Sequence, residues 1–114
     1  MDLPNKDRVI VEAEKVRDYL LNEAHPDGYS KAEFFMAKGF HQERWHELAD
    51  ALKRIAREGI VVKHMNSLHG QKYIVDGILR APDGLTALVR TVWIVDIGGD
   101  TPRFVTAYPR EQES

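Results

Sequence analysis

"KYIVDGILRAPDGLTALVRTVWIV", residues 72–95, decides the fold. Two runs rich in β-branched and aromatic residues flank the tetrapeptide "APDG", residues 81–84. Pro82 holds the second position of that tetrapeptide and Gly84 the fourth, the chemistry of a type I turn. So short a connection joins antiparallel neighbours. "IVVKHM" before this pair and "RFVTAY" after it have the same β-rich composition, with "DIGGDTP" making the last reversal. Residues from about 60 to 108 therefore read as a four-stranded antiparallel meander. Its third strand carries "LVRTVWIV", apolar on both faces apart from Arg90 and Thr91, and belongs at the centre of the sheet.

Upstream, over residues from about 11 to 58, the period changes to that of helices. "VEAEKVRDYLLN" puts Ala13, Val16 and Leu20 at helical spacing with Tyr19 beside them. "RVIV", just before it, is either a short strand or a lead-in turn. The first helix should stop near Asn22, because His25-Pro26-Asp27-Gly28 is turn chemistry and the residue before a proline avoids the helical region. Ser30 and Glu33 fit a capping box for a second helix, and Gly39 is its expected terminator. The third helix spans "QERWHELADALKRIAREG", where Trp45, Leu48, Ala49, Leu52, Ile55 and Ala56 form one apolar stripe. Its acids come early and its bases late, which suits the helix dipole, and Gly59 ends it. Helices first and strands after them is an α+β layout: about three N-terminal helices covering one face of the sheet. Residues 110–114 read as a frayed tail.

The chain's 114 residues suit a single domain of radius about 13 Å. No apolar run approaches the roughly 18 residues of a membrane helix, and "MDLPNKDR" has no leader character. With no cysteine, disulfides and thiolate metal sites are excluded, and the cytoplasm is the expected compartment. The net charge is −2. Neither half is strongly biased, which argues against a broad, salt-driven nucleic-acid surface but leaves room for a small phosphate-reading cleft.

Five histidines raise the question of a metal. His41 and His46 are five apart, a spacing that turns them about 140° from each other on a helix. His64 and His69 flank a loop tip. Neither pair has the one-face spacing of a zinc helix, so no metal and no other cofactor is expected. No phosphate loop, dinucleotide fingerprint or nucleophile elbow occurs.

His25, Lys31, Arg90, Thr106 and Tyr108 remain. A histidine can move the proton of a ribose 2′-hydroxyl or of a leaving oxygen. Lysine or arginine stabilises charge building on a phosphate, and threonine and tyrosine hydroxyls can position it. The expected catalytic set is His25, Lys31, Thr106 and Tyr108, with Arg90 binding substrate. Each also has a structural role open to it: His25 can shape the turn, Lys31 can be a surface lysine, and Tyr108 can cap the sheet. Simple alternation puts Phe104, Thr106 and Tyr108 on one face of the last strand. Arg90 joins them if Val92 lies opposite Thr106, and leaves them if Thr91 does.

The string "LPN…EKVRDYLLN…HPDGYSKAEFF…KYIVDG…VRTVWIV…PRFVTAYP" resembles a domain-of-unknown-function family of small bacterial proteins. "HPDGYSKAEFF" and "VTAYP" are its most specific parts. More distantly, helices followed by a four-stranded antiparallel sheet ending in Thr-x-Tyr-Pro are similar to the ribonuclease-toxin superfamily that holds barnase, EndoU, the colicin ribonucleases and RelE. That resemblance implies a toxin-like ribonuclease that cleaves RNA without a metal, with His25 and Lys31 as an early pair and Thr106 and Tyr108 as a late one. It also implies a small cognate antitoxin or immunity protein as partner. The competing expectations are a non-enzymatic module that binds a protein through its sheet, and a ribonuclease-like domain that has lost its activity.

Overall fold

Strands β1 (Ile60–Ser67), β2 (Gly70–Arg80), β3 (Thr86–Asp96) and β4 (Arg103–Pro109) lie in sequence order as one antiparallel sheet. The computed structural model describes residues 1–26 and 29–110. Helices α1 (Ala13–Lys15), α2 (Tyr29–Ala37) and α3 (Trp45–Glu58) precede the sheet, and the apolar core lies between them and one of its faces. This is the α+β layout expected. The radius of gyration is 13.5 Å.

β3 is central, as its two apolar faces require. Val89, Thr91, Trp93 and Val95 are buried on the helix side, and Val92 and Ile94 on the outer side. Two polar groups secure its register against β2. Thr91 Oγ1 donates to the Val75 carbonyl at 2.8 Å and accepts from the Trp93 indole at 2.7 Å. One residue earlier, on the outer face, Arg90 forks onto Asp76 through two bonds of 2.8 and 3.0 Å. Asp76 stands directly opposite Arg90, and Val75 opposite Thr91.

β4 departs from simple alternation. Val92 pairs with Thr106 and Arg90 with Tyr108, but Trp93 pairs with Phe104, so Val105 is the extra residue of a bulge. Phe104 therefore turns to the core, edge-on to Trp93 with centroids 5.3 Å apart. Thr106 and Tyr108 share the outer face with Arg90, while Phe104 does not. A bulge leaves no mark in the alternation of residue types, which is why the sequence pattern grouped Phe104 with them.

The helices follow their local signals with two corrections. α1 gives way at Val16–Leu20 to a π-helical turn, in which Leu21 N–H donates to the Val16 carbonyl at 2.9 Å. The wider turn lets Val16, Leu20 and Leu21 all bury. α2 begins at Tyr29, so Ser30 sits inside its first turn and is no cap. Glu33, expected to reach back to Ser30, instead accepts from the Tyr29 hydroxyl one turn away and holds that phenol above its ordinary pKa. Asp27 and Gly28 of the expected turn lie outside the described residues.

Gly39 ends α2 as expected. It adopts φ +98°, and the Gly39 and Phe40 amides close onto Met36 and Phe35 at 3.0 and 3.2 Å, a Schellman pattern with the Phe35–Phe40 contact beneath it. α3 buries Leu48, Ala49, Leu52, Ile55 and Ala56. "RVIV" resolves into one short parallel bridge, Ile10 to Arg103. Arg110, placed in the expected tail, is tied to the sheet by its amide to Leu88 at 3.0 Å and by an ion pair to Asp76. Residues 111–114 lie outside the described residues.

α3 approaches the sheet most closely at two glycines. A Cβ on Gly77 would stand 2.8 Å from Ile55 Cγ2, and one on Gly59 would stand 2.6 Å from the Ile55 and Asp76 carbonyl oxygens. Ile55 is fully packed and cannot give way. Gly77→Ala is therefore expected to destabilise the fold by about 1–3 kcal/mol through overpacking. Gly84→Ala meets no neighbour within 4 Å and should lose only the roughly 1–2 kcal/mol of a left-handed backbone. Urea unfolding of both variants checks this; a wild-type midpoint for Gly77→Ala would refute the close-approach account.

Candidate active site

The structure sorts the five expected residues into two groups on opposite sides of β4. The first group is built on the π turn. Because the backbone widens there, Tyr19 leaves the core stripe, and its ring is half-buried against the core. Lys31, in the first turns of α2, donates to the Tyr19 hydroxyl at 2.7 Å, with its Nζ 5.1 Å from the ring centroid. His25 packs edge-on against the same ring, with centroids 5.0 Å apart and planes at 87°. Asn22 holds the turn that delivers His25: its side-chain oxygen accepts from Ala24 N–H at 3.0 Å, and its carbonyl from His25 N–H at 3.2 Å.

Tyr19 and His25 line an open cleft of about 630 Å³, whose far wall is Val105 and Thr106 at the bulge of β4. Glu14, Lys15 and Asp18 complete the lining. Asp18 is engaged by a fork from Arg17 at 2.8 and 2.9 Å, which lowers its carboxyl below the ordinary range. Thr106 Oγ1 is buried with no hydrogen-bond partner among the described residues, an arrangement that costs about 1–3 kcal/mol when it persists.

The second group is on the outer face. Arg90 and Tyr108 are cross-strand partners, and the phenol lies close enough to act on the guanidinium electrostatically. Neither lines the His25 cleft. The structure thus gathers His25 and Lys31 around Tyr19, with Thr106 lining the same cleft as His25, and pairs Arg90 with Tyr108 outside that cleft's lining. The cause is strand pleating: a cross-strand pair points to one side, and Tyr108 follows Arg90 away from the helices. Tyr19 is the residue that sequence reasoning counted only as part of an apolar stripe. The available signal was a phenol on that stripe facing a lysine at the start of the next helix, and only the π turn brings the two together.

Asp76 anchors the outer row. It is buried, opposite Arg90, and also accepts from Arg110. The Arg90 hydrogen bond is the main cause that holds its carboxyl below the ordinary value, and the field of both arginines adds to it, while desolvation opposes the shift. A depressed folded pKa means that the ionised carboxylate contributes stability above the unfolded pKa of about 3.9, and that this is lost as pH falls through the lower folded value. Asp76→Asn should therefore destabilise the domain at pH 7 by about 2 kcal/mol, and the difference from wild type should shrink on acidification below about pH 4. Urea melts across pH measure it; a difference independent of pH would show that Asp76 acts through shape alone.

Among the described residues no group of three or more His, Asp or Glu is placed to hold a metal ion, and no helix is long and apolar enough to cross a membrane. No curated protein matches the chain in sequence. One solved structure with the same fold is a chain of a contact-dependent growth inhibition toxin–immunity protein complex from Klebsiella pneumoniae 342, with a TM-score of 0.74 and 22% identity. The likeness covers 89% of this chain and 99% of that one, and at that identity it is a likeness of fold. The helices, the meander and the two-sided third strand are matched by a family model over residues 2–111, and the chain belongs to that family, Domain of unknown function (DUF6883).

Proposed function

We propose that this domain is a toxin-type ribonuclease of a toxin–immunity pair, cleaving RNA phosphodiesters by acid–base chemistry that uses side chains alone. The observation that carries the reading is the cluster at the π turn: the Tyr19 phenol touches both the His25 imidazole and the Lys31 ammonium, and Tyr19 and His25 line a cleft together with Thr106. The fold likeness to a chain of a toxin–immunity complex supports the class of protein.

In this reading His25 takes the proton of the ribose 2′-hydroxyl, whose oxygen attacks phosphorus. The bond from phosphorus to the 5′-oxygen breaks, leaving a 2′,3′-cyclic phosphate. The departing oxygen receives its proton from the Tyr19 hydroxyl, which Lys31 polarises through the 2.7 Å hydrogen bond. The Lys31 charge also offsets the negative charge that builds on the phosphate. Thr106 lines the cleft beside the phosphate. The strand then passes over the edge of β4, where Arg90 and Tyr108 hold a neighbouring phosphate.

A second reading, a non-enzymatic protein-interaction module, is favoured by Glu14 and Asp18. Their carboxylates line the same cleft and oppose a phosphate. A ribonuclease-like domain without activity would share these features.

Purified wild type, His25→Ala and Tyr19→Phe, incubated with total RNA, separate the readings. Wild type should cleave with or without EDTA and leave cyclic phosphate ends. His25→Ala should lose about 10²–10⁴-fold in rate. Induced expression should slow growth for wild type and not for His25→Ala. Inert, equal behaviour of wild type and His25→Ala in both assays would establish the binding module instead.

A further inference from the structure

A second concavity, with none of the His25 cleft's lining residues, opens beside the start of β1. β1 begins at Ile60, opposite Asp76, whereas β2 continues to Arg80. Residues 77–80 thus run past their β1 neighbour, and the C-terminal turn of α3 flanks the notch that results. The notch has a volume of about 360 Å³. Five branched aliphatic side chains line it, Ile60, Val62 and Ile78, then Leu88 and the buried Ile55. The first three are 71%, 45% and 49% exposed, a clustering of exposed branched residues that a monomer's surface rarely carries without a partner.

The rim is basic. Arg54, Arg80 and Arg110 stand around it, with the carboxylates of Glu58 and Asp76. Both acids are already engaged: Glu58 by Arg54 at 2.8 Å, and Asp76 by Arg90 and Arg110. Arg80 forms no ion pair among the described residues, and its field, with that of Arg57, reaches Glu58. Three arginines against two carboxylates give the notch lining a positive balance on a chain whose net charge is −2. Among the described residues no aromatic ring lines it, whereas single-stranded nucleic acid is held by stacking of its bases as well as by charge. Clustered exposed aliphatic side chains beside arginines suit a protein partner instead.

We propose that this notch is the docking site of a partner protein, which enters it with an extended acidic segment carrying branched aliphatic anchors. The inference rests on the toxin–immunity reading for the partner's biological role and names the surface it would occupy. Because the notch and the His25 cleft share no lining residue, a bound partner there would leave the His25 cleft geometry unaltered.

Two-dimensional amide NMR of the isotope-labelled domain tests this with three synthetic probes: the capped peptide Glu-Ile-Asp-Leu-Glu, its counterpart Lys-Ile-Lys-Leu-Lys, and a uridine octamer. The acidic peptide should shift the amides of Ile60, Val62, Ile78, Arg80 and Leu88, with a dissociation constant on the order of 1 mM for so short a segment. Arg80→Ala and Ile78→Ser, both at exposed positions, should each weaken it by about tenfold while leaving the remaining spectrum intact. His25→Ala should bind the peptide like wild type, so loss of RNA cleavage and loss of docking are separate results. The proposal is overturned if both peptides bind alike, if the octamer shifts these amides more tightly than the acidic peptide, or if the shifts fall elsewhere. Self-association of the free domain that Ile78→Ser abolishes would assign the notch to a second copy and overturn it equally.

Discussion

Two adjacent residues of β3, pointing to opposite sides of the sheet, carry the constraint on which the rest of the molecule depends. Thr91 faces the core and ties its hydroxyl to the Val75 carbonyl and the Trp93 indole. Arg90 faces out and forks onto Asp76. A slip of one residue would drive a guanidinium into the apolar core and pull Trp93 out of it, each costing several kcal/mol. Register is thus held from both faces at once. Everything placed relative to β3, including α3 through β2 and the outer row through β4, inherits that register.

The bulge at Val105 is the second decision, and it sets which side chains of β4 face the core and which face out. It turns Phe104 inward to meet Trp93 while Thr106 and Tyr108 stay on the outer face. It also makes Val105 and Thr106 the wall of the His25 cleft. β4 therefore has chemistry on both sides of one edge: a cluster of His25, Tyr19 and Lys31 from the helical layer, and a row of Arg90 and Tyr108 from the sheet. Thr106, with its buried hydroxyl unpartnered among the described residues, is the residue common to both.

The electrostatics follow the same division. Along the outer face, buried Asp76 accepts from both Arg90 and Arg110 and orders them by hydrogen bonds. Beyond it Arg80 is left over, and the notch takes its sign from that surplus. Around the His25 cleft the charges are mixed, with Asp18 turned to Arg17. A chain of nearly balanced charge can in this way present one positive concavity and one mixed one.

Local chemistry determined much by itself. The strands from 60 onward, the "APDG" reversal with Gly84 at φ +85°, the Gly39 stop and the stripe of α3 are all legible because each depends on neighbours within a few residues. Ser30 and Glu33 were legible but misleading, since the start of α2 at Tyr29 offered Glu33 a better partner. What only the tertiary structure decided are matters of long-range pairing: the Arg90–Tyr108 register, the bulge at Val105, the π turn that swings Tyr19 to Lys31, and the notch left where β1 stops short of β2. None of these changes residue periodicity by more than one position. Each is set by which core side chains must fit against Trp93, Phe104 and Ile55, and that fit exists only once the chain has closed on itself.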